Sequence, residues 1–309
     1  MKKTTKRLGA LVLALAMALG LLCGEAWAAR SGKCGKNVRW TLSGSTLTVS
    51  GKGAMYNYDN DAPRRGHPKT PWYKSRKKIR RVVVRPGVTR VGSYAFDGCK
   101  NLTRVTLPTT LKTVGRLSFA SCGSLKKILI PKRVKKMGDS VFFDWNEKTD
   151  VERSALKKIS FVGNAPRLYN REGKAVYGTL ESVAGTARIP AGNRTWTKAK
   201  RKKAGGRITW KKWNPYTTKV IRVTPGRRKA TVRWKRNRRP TGFQIQYATN
   251  EKFRDGKIRT VKGSKRTAVT LKKLKGKKKY YFRVRTYKVD AKKRYYSVWS
   301  GAKAATVRR

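Results

Sequence analysis

The sequence predicts a mainly β protein in two parts, a solenoid of stacked repeats followed by a β-sandwich. The solenoid is predicted by a phrase that occurs three times. Gly-Ser-Tyr-Ala-Phe at residues 92–96 returns as Gly-Arg-Leu-Ser-Phe at 115–119 and Gly-Asp-Ser-Val-Phe at 138–142, a period of 23 residues. A fixed period in the low twenties is typical of solenoids, in which each unit buries its apolar face against its neighbours. The sandwich is predicted by several short alternating segments beyond residue 214.

The same period holds at other slots, since Leu102 matches Leu125 and Val105 matches Ile128. The phrase Gly-x-x-Ala-Phe-x-Gly-Cys-x-x-Leu-x-x-Val-x-Leu-Pro at residues 92–108 resembles the BspA-type leucine-rich repeat of bacterial surface proteins. The resemblance implies one short strand per repeat, laid in a parallel sheet, with a return through a turn or short helical segment. It also implies adhesion or binding as the general function, but it names no ligand, because one fold serves many functions.

The first 28 residues read as a secretory signal peptide. Four basic residues precede an uncharged apolar run from 8 to 22, and Ala-Trp-Ala at 26–28 supplies a cleavage site. The run is too short for a membrane span of about 20 residues. We expect cleavage after Ala28, no later transmembrane segment, and a secreted, extracellular or wall-associated protein.

The composition is extremely basic, with a formal net charge of +65. Residues 1–28 hold four basic residues and one acidic residue, so the remainder carries +62. Such a charge destabilises the folded state by self-repulsion and attracts polyanions. It points to an anionic partner or environment, and the alternative that stays open is a lineage that favours basic surfaces.

Three cysteines follow the signal peptide, an odd number for an exported chain. Cys99 and Cys122 occupy equivalent slots of neighbouring repeats, close enough for a disulfide. They also suit the role of small buried apolar residues, so their pairing stays open. Cys34 is the third, and without a CxxC pair we expect no zinc site.

Residues 29–79 are predicted to be an N-terminal cap. Residues 37–50 alternate around Ser-Gly-Ser at 43–45, which indicates a β-hairpin. A loop rich in aromatic residues follows and holds His67, the sole histidine. We interpret His67 as a solvated loop residue. Asp59 and Asp61 lie in a turn-like stretch and are not expected to form a catalytic pair.

Residues 80–213 are predicted to be the solenoid with its C-terminal cap. Leu156 matches Leu125 at 31 residues instead of 23, which indicates an eight-residue insertion around 145–152. This acid-rich part reads either as a cation site or, as we favour, as counterions for nearby Lys and Arg; its acidic residues are Asp139, Asp144, Glu147, Asp150 and Glu152. Trp196 and Trp210 lie in phrases that resemble the family's closing unit, and we expect core and capping roles for them in preference to sugar stacking.

Residues 214–309 are predicted to be the sandwich, after the boundary at Asn214-Pro215. Trp234 on an early strand, and Leu274 six residues before Tyr280, resemble a fibronectin type III domain with its tyrosine corner. Phe282 and Val284 are expected to face the core, while the residues between and beside them face outward; these are Tyr281, Arg283 and Arg285.

One candidate binding site comes from aligning the repeats. Arg81, Arg104, Lys127 and Lys158 occupy one slot, a step before the inward-facing apolar residue. In a parallel sheet they would form a ladder of cations about 4.8 Å apart on the exposed face, where solenoids commonly bind. Thr106 and Ser160 are expected beside it as hydrogen-bonding residues. The alternative is a chance column in a very basic chain.

A secondary basic cluster lies in the sandwich at Lys272, Lys273, Lys275, Lys277, Lys278 and Lys279. From 214 to 309 there are 32 basic and 3 acidic residues, so both parts of the chain are basic. Candidate partners are anionic wall polymers, sulfated or sialylated glycans, extracellular DNA and host surface proteins. No module that reads bases is present, so we expect no sequence-specific nucleic acid.

We therefore expect no enzyme, no catalytic residue, no metal and no cofactor. A hydrolase needs an activated nucleophile or a carboxylate pair at a defined separation. The chain has few acidic residues and one histidine, so we expect neither arrangement. The predicted function is a strongly basic surface adhesion protein that binds anionic polymers, host glycans or host proteins through the solenoid sheet. The alternative is a non-catalytic structural protein held by charge on the cell's own anionic envelope.

Overall fold

The computed structural model describes residues 30–59, 69–146, 151–152, 154–170, 172, 174 and 178–309. The predicted signal peptide, Asp61, His67, Glu147 and Asp150 lie outside the described residues. Within the described ranges, no helix is long and apolar enough to cross a membrane.

Short strands build almost all of the described structure. In chain order they are β1 Arg30–Gly35, β2 Val38–Ser43, β3 Thr46–Gly51, β4 Gly53–Ala54, β5 Arg81–Val84, β6 Val88–Val91, β7 Arg104–Thr106, β8 Thr113–Val114, β9 Lys127–Ile130, β10 Lys136–Gly138, β11 Trp145–Asn146, β12 Val151–Glu152, β13 Lys158–Phe161, β14 Arg167–Tyr169, β15 Ala184–Pro190, β16 Arg207–Trp213, β17 Val220–Gly226, β18 Lys229–Trp234, β19 Gly242–Ala248, β20 Lys257–Lys262, β21 Ala268–Lys272, β22 Lys279–Asp290, β23 Lys293–Tyr296 and β24 Lys303–Thr306. A 3-10 helix spans Tyr73–Lys78, and the α-helix α1 spans Lys198–Lys203.

The N-terminal cap contains the predicted hairpin, formed by β2 and β3 with Gly44 at φ +53° in the turn. Alternation buries Val38 and Trp40 against the first repeat. Strand β1 pairs antiparallel with β2 at the outer edge. Strand β1 was not predicted, because its residues Arg-Ser-Gly-Lys-Cys-Gly show no apolar alternation.

Two parallel sheets form the solenoid. The front sheet runs β3-β5-β7 and then β9-β13-β15-β16, with β7 beside β9 but without ladder hydrogen bonds between them. The back sheet runs β4-β6-β8-β10-β14. From β3 to β14 each unit thus supplies one strand to each sheet and encloses the shared core between them, whereas β15 and β16 extend the front sheet alone.

The shared core confirms the repeat alignment. Leu102, Leu125 and Leu156 are 0%, 2% and 1% exposed in one cluster. Beside them the rings of Phe96, Phe119 and Phe142 stack at successive centroid distances of 5.3 and 6.0 Å. One phenylalanine per repeat therefore forms a continuous column, which explains why Phe ends the repeated phrase.

The column begins in the cap loop with Trp72. Its ring stacks on Phe96 at 5.7 Å, and its Nε1 donates a hydrogen bond to the Ala95 carbonyl.

The repeated glycine allows close approach of neighbouring repeats, because a Cβ at Gly115 would lie 2.4 Å from the Ser93 nitrogen. Successive repeats therefore touch backbone to backbone at this slot.

The predicted insertion is also confirmed. Lys127 pairs in register with Lys158, which is the 31-residue offset, and the extra residues include the antiparallel pair β11 and β12. The insertion leaves the front sheet intact because it lies outside the strands that form that sheet.

The sandwich has two antiparallel sheets, β17-β18-β21 and β20-β19-β22-β23, with β24 on the first half of β22. Its core is separate from that of the solenoid and contains Trp234, Phe243, Phe282 and Val284. The Tyr280 hydroxyl accepts a hydrogen bond from the Lys275 backbone nitrogen at 3.1 Å. This is the tyrosine corner that the sequence predicts.

Candidate anion-binding surface

The four predicted cations, hereafter the cation ladder, lie on the solvent face of the front sheet. Arg81 pairs directly opposite Arg104, and Lys127 directly opposite Lys158. All four residues are exposed. Their inward neighbours Val82, Val105, Ile128 and Ile159 lie in or against the core, because side chains alternate along a strand.

The ladder consists of two register-fixed pairs on either side of the junction between β7 and β9. Threonines continue the same column at both ends, Thr46 before Arg81 and Thr186 then Thr209 after Lys158. Thus the cations occupy the middle of the face, and hydroxyl groups flank them.

Repulsion within the ladder is not relieved locally. No ion pair joins these four side chains to a carboxylate of the residues that the structure describes. Two unit charges about 5 Å apart in water repel by roughly 0.8 kcal/mol, so adjacent cations favour an anion between them. A linear polymer with repeated negative charges matches this arrangement.

A second column of the front sheet lies two residues after the cation ladder along each strand. Thr106 is exposed as expected, whereas Ser160 is buried and pairs with the exposed Leu129 and with Arg188. The Arg188 guanidinium lies 4.4 Å from the Trp213 ring centroid, and burial lowers its pKa.

Next in this column, Lys211 pairs with Arg188 and is exposed. Sequence reasoning missed both residues, because β15 follows β13 at an offset of 28 residues, and the 23-residue spacing returns only between β15 and β16.

The back sheet carries a second basic row, which was not predicted from the sequence. Arg90, Thr113, Lys136 and Arg167 are in register across β6, β8, β10 and β14. The 23-residue spacing from Arg90 to Lys136 through Thr113 was the available signal. Arg90 donates hydrogen bonds to the Met55 carbonyl, so this row is partly satisfied within the protein.

The described part of the acid-rich region contains local ion pairs. Arg116 donates to Asp139 at 2.8 Å and lies 3.5 Å from Asp59. Burial raises the pKa of Asp144, and the charges of Lys100 and Lys126 oppose that shift. The contact with Arg116 agrees with the counterion interpretation for Asp139. Asp59 is a second counterion of the same arginine.

The secondary basic cluster spans the end of β21, the start of β22 and the connection between them, and all six of its lysines are exposed. Backbone hydrogen bonds hold the connection, from Lys277 to the Val307 carbonyl and from Leu274 to the Arg228 carbonyl. A cleft beside it is lined by Arg228, Lys275, Lys277, Arg309 and Gly276. The cluster is therefore an ordered, solvent-facing group of cations.

Other arginines of the sandwich are covered by aromatic rings. Arg283 lies 4.1 Å from the Phe253 ring and 5.0 Å from the Trp299 ring. Arg285 lies 4.3 Å from Trp299 and 4.1 Å from Tyr296. Burial lowers the pKa of both arginines, which remain charged at neutral pH.

The same arginines are also hydrogen-bonded. Arg283 donates two bonds to the Gln246 side-chain oxygen, and Arg285 donates two to that of Gln244. Their polar groups are therefore engaged within the protein, although they face outward as the alternation predicts.

The three cysteines after the predicted cleavage site are free and buried. Burial raises the pKa of Cys34 and Cys99 to about 12 and that of Cys122 well above its usual value. Because the thiolate is the reactive form, these thiols are unreactive at neutral pH. Cys122 donates its S–H to the Phe96 carbonyl at 3.3 Å.

The closing tryptophans have the predicted core and capping roles. Trp196 is buried, donates to the Gly163 carbonyl and packs 5.5 Å from the ring of Trp210. Within the described part of the chain, no three His, Cys, Asp or Glu residues are grouped so that they could hold a metal ion.

The two regions meet where β16 leads into the sandwich. Asn214 is buried and donates to Thr286, and Lys212 forms an ion pair with Asp290 at 2.7 Å. The hydrogen bond from Lys212 is the main cause that lowers the pKa of Asp290. The Lys212–Asp290 ion pair thus joins the end of the solenoid to the sandwich, and Asn214, the first residue of the sandwich, is held by Thr286 within it.

Comparisons with solved structures gave the following similarities. A leucine-rich repeat protein from Eubacterium ventriosum is 26% identical, with 61% of this chain and 41% of that chain covered and a TM-score of 0.40. A leucine rich cell surface protein from Faecalibacterium prausnitzii is 16% identical over 60% and 51%, with a TM-score of 0.28. The FN1–FN3 domains of chicken CNTN1 are 19% identical over 33% and 34%, with a TM-score of 0.27.

The chain covers less than two thirds of each of these three chains. Comparison with curated proteins gave no match. Family models match two stretches, the BspA type leucine rich repeat region in six copies at 71–162 and the fibronectin type III domain at 214–300. This chain therefore joins a BspA-type leucine-rich repeat region to a fibronectin type III domain.

Proposed function

We propose that this chain is a non-catalytic binding protein of the bacterial cell surface that holds anionic polymers against the front sheet of its solenoid. The observation that carries the proposal is the register of the cation ladder. Arg81 lies opposite Arg104, Lys127 lies opposite Lys158, and all four are exposed. The predicted signal peptide supports a location outside the cytoplasm.

The geometry favours a linear polyanion over a small anion. The ladder is a row of cations on strands about 4.8 Å apart and is not enclosed in a cavity. Each anionic group that binds between two cations lowers their repulsion and releases counterions. Wall polymers, sulfated or sialylated glycans and extracellular DNA all supply such rows of charge.

The secondary basic cluster of the fibronectin domain supplies a second attachment region. Its six lysines are exposed and lie on an ordered connection and the strand ends that flank it. Two attachment regions on one polymer raise the overall affinity above that of either region alone, provided that the polymer reaches both.

A second candidate function is a structural protein that coats the producing cell's own anionic envelope. The row of Arg90, Lys136 and Arg167 on the back sheet favours it, because basic residues then lie on both faces of the solenoid. In that case no face is special, and binding depends on total charge alone.

The test compares two quadruple charge reversals in the full-length secreted chain. The ladder variant changes Arg81, Arg104, Lys127 and Lys158 to Glu. The scattered variant changes Lys36, Arg133, Lys202 and Arg254 to Glu; these are also two arginines and two lysines, all exposed and none in the ladder. Each protein is titrated with heparin, a sialylated glycan and purified wall polymer at two salt concentrations.

We expect the ladder variant to lose at least about tenfold more affinity than the scattered variant, because its charges act together on one polymer. Equal losses would reject the ladder as the site and favour the coating function. Binding restricted to the producer's wall polymer would favour that second function as well.

A further inference from the structure

A large open cavity lies at the C-terminal end of the solenoid, away from the cation ladder. Its volume is about 620 Å³, which is within the usual range for small-molecule sites. It lies between α1, the end of β13 in the front sheet and strands β10 and β14 of the back sheet. Its lining includes Met137, Phe161, Leu180 and Trp196.

The cavity exists because α1 presents no large apolar side chain. The helix has the sequence Lys-Ala-Lys-Arg-Lys-Lys, and none of its residues is buried. Ala199 is its single apolar residue and lines the cavity, together with Lys200 and Lys203. Protein interiors are normally close-packed, so a helix too small to fill this space leaves a ligand-sized opening over an apolar floor.

The floor and the rim differ in chemistry. Met137, Phe161, Leu180 and Trp196 are each less than 8% exposed and form the apolar floor. The rim carries basic residues from three different segments, Lys135 before β10, Arg167 at the start of β14, and Lys200 on α1. No carboxylate is among the described residues that line the cavity.

We infer that this cavity binds a small amphiphile with one carboxylate head and a linear hydrocarbon tail, that is, a fatty carboxylate. The tail gains free energy by leaving water for the apolar floor, and the head pairs with the rim cations. A polyanion cannot bury its charges in the floor, and a neutral hydrocarbon makes no use of the rim. The inference is independent of the proposed function of the ladder.

The test is isothermal titration of the full-length secreted chain with dodecanoate below its micelle concentration. Octanoate, decanoate, acetate and dodecylammonium are titrated in parallel. We expect one dodecanoate per chain, and affinity that rises about threefold to fourfold for each added methylene. Acetate and dodecylammonium are not expected to bind at the same concentrations.

Two substitutions test whether dodecanoate binds in this cavity. Ala199→Phe fills the space from the exposed helix and should remove dodecanoate binding. Lys200→Glu should weaken it about tenfold by reversing one rim charge. The matched controls are Lys202→Phe and Lys202→Glu, on the same helix but outside the lining; both should bind dodecanoate like the unmodified chain.

Several results would overturn the inference. They are many dodecanoates per chain with affinity that vanishes at high salt, equal binding by dodecylammonium, or no binding at all. Equal effects of the substitutions at 200 and 202 would also overturn it. Because Lys200 and Lys202 are exposed, these two variants keep the test valid even if Ala199→Phe perturbs folding.

Discussion

The solenoid and the fibronectin domain are both strongly basic, yet they present their strand cations in different ways. On the front sheet the residues of the cation ladder project into solvent without a described carboxylate partner. On the fibronectin sheet Arg283 and Arg285 lie between aromatic rings and donate to glutamine oxygens. Net charge alone therefore does not identify binding residues, because local contacts decide which cations remain available to a partner.

The largest expected effect tests whether the two regions are independent folding units. Phe119→Ala should destabilise the solenoid by about 3–5 kcal/mol, because it opens a cavity in the stacked column. Phe243→Ala should do the same to the fibronectin domain. Denaturant unfolding followed by amide exchange in both regions measures each loss separately.

We expect each variant to lower the stability of its own region and to leave that of the other unchanged, because the two cores share no residue. If Phe243→Ala destabilised the solenoid as strongly as Phe119→Ala, the contact between the regions would be part of one cooperative unit. The solenoid and the fibronectin domain would then unfold as a single body.

A second prediction concerns the covered arginines. Arg285→Ala should destabilise the fibronectin domain by about 1–3 kcal/mol, through lost cation–π contacts and hydrogen bonds. Its effect on heparin affinity should be small. Lys278→Ala, in the secondary basic cluster, should show the opposite pattern, with little change in stability and weaker heparin binding.

Thermal unfolding and heparin titration of these two variants measure both properties. A loss of heparin affinity for Arg285→Ala as large as that for Lys278→Ala would show that aromatic cover does not withhold a cation from a polyanion. It would remove the distinction between covered and available cations.

A third prediction concerns the contact between the regions and its pH dependence. The pKa of Asp290 is lowered by its hydrogen bond with Lys212, so the folded state favours the carboxylate. This contribution is present above the unfolded pKa and is lost as the pH falls through the lowered folded pKa. Asp290→Asn should therefore cost up to about 1 kcal/mol near neutral pH.

The difference between Asp290→Asn and the unmodified chain should close as the pH falls below 3.8, the usual value for aspartate. Unfolding free energies measured from pH 7 to pH 2 test this. Glu251→Gln, an exposed acid far from the contact, is the control. A constant difference across the whole range would show that the ion pair does not cause the shift.

The smallest expected effect concerns the three buried cysteines, which should not react with thiol reagents. Cys34, Cys99 and Cys122 should not react with a thiol reagent in the folded secreted chain at pH 8, because they are buried and their pKa values are raised. All three should react after unfolding in guanidinium chloride. Rapid reaction of the folded chain would contradict the buried positions of these thiols.

Much of the solenoid could be predicted because its period is visible in the sequence. The 23-residue spacing places Leu102 and Leu125 in one core and Arg81 opposite Arg104. The interruption of the front-sheet hydrogen bonds between β7 and β9 could not be predicted, since the two repeats are equivalent in sequence there. Strand β1 was missed because it lacks apolar alternation.

The arginines covered by aromatic rings show that strand alternation does not predict the contacts of a side chain. The alternation in β22 predicts that Arg283 and Arg285 face outward. Their partners Gln246 and Gln244 are 37 and 41 residues away, and the rings come from other segments still. Such contacts depend on the register between distant strands, which the sequence does not state. The cavity beside α1 is similar, because an unfilled space has no residue pattern of its own.

The most direct test of the cation ladder is the salt dependence of heparin affinity. The logarithm of the association constant is plotted against the logarithm of salt concentration for the unmodified chain and for a ladder variant with Arg81, Arg104, Lys127 and Lys158 changed to Gln. If all four cations contact the polymer, the slope should fall in magnitude by about three. Neutralising Lys36, Arg133, Lys202 and Arg254 should change it by less than about one. Equal changes for both variants would contradict the ladder as the binding surface.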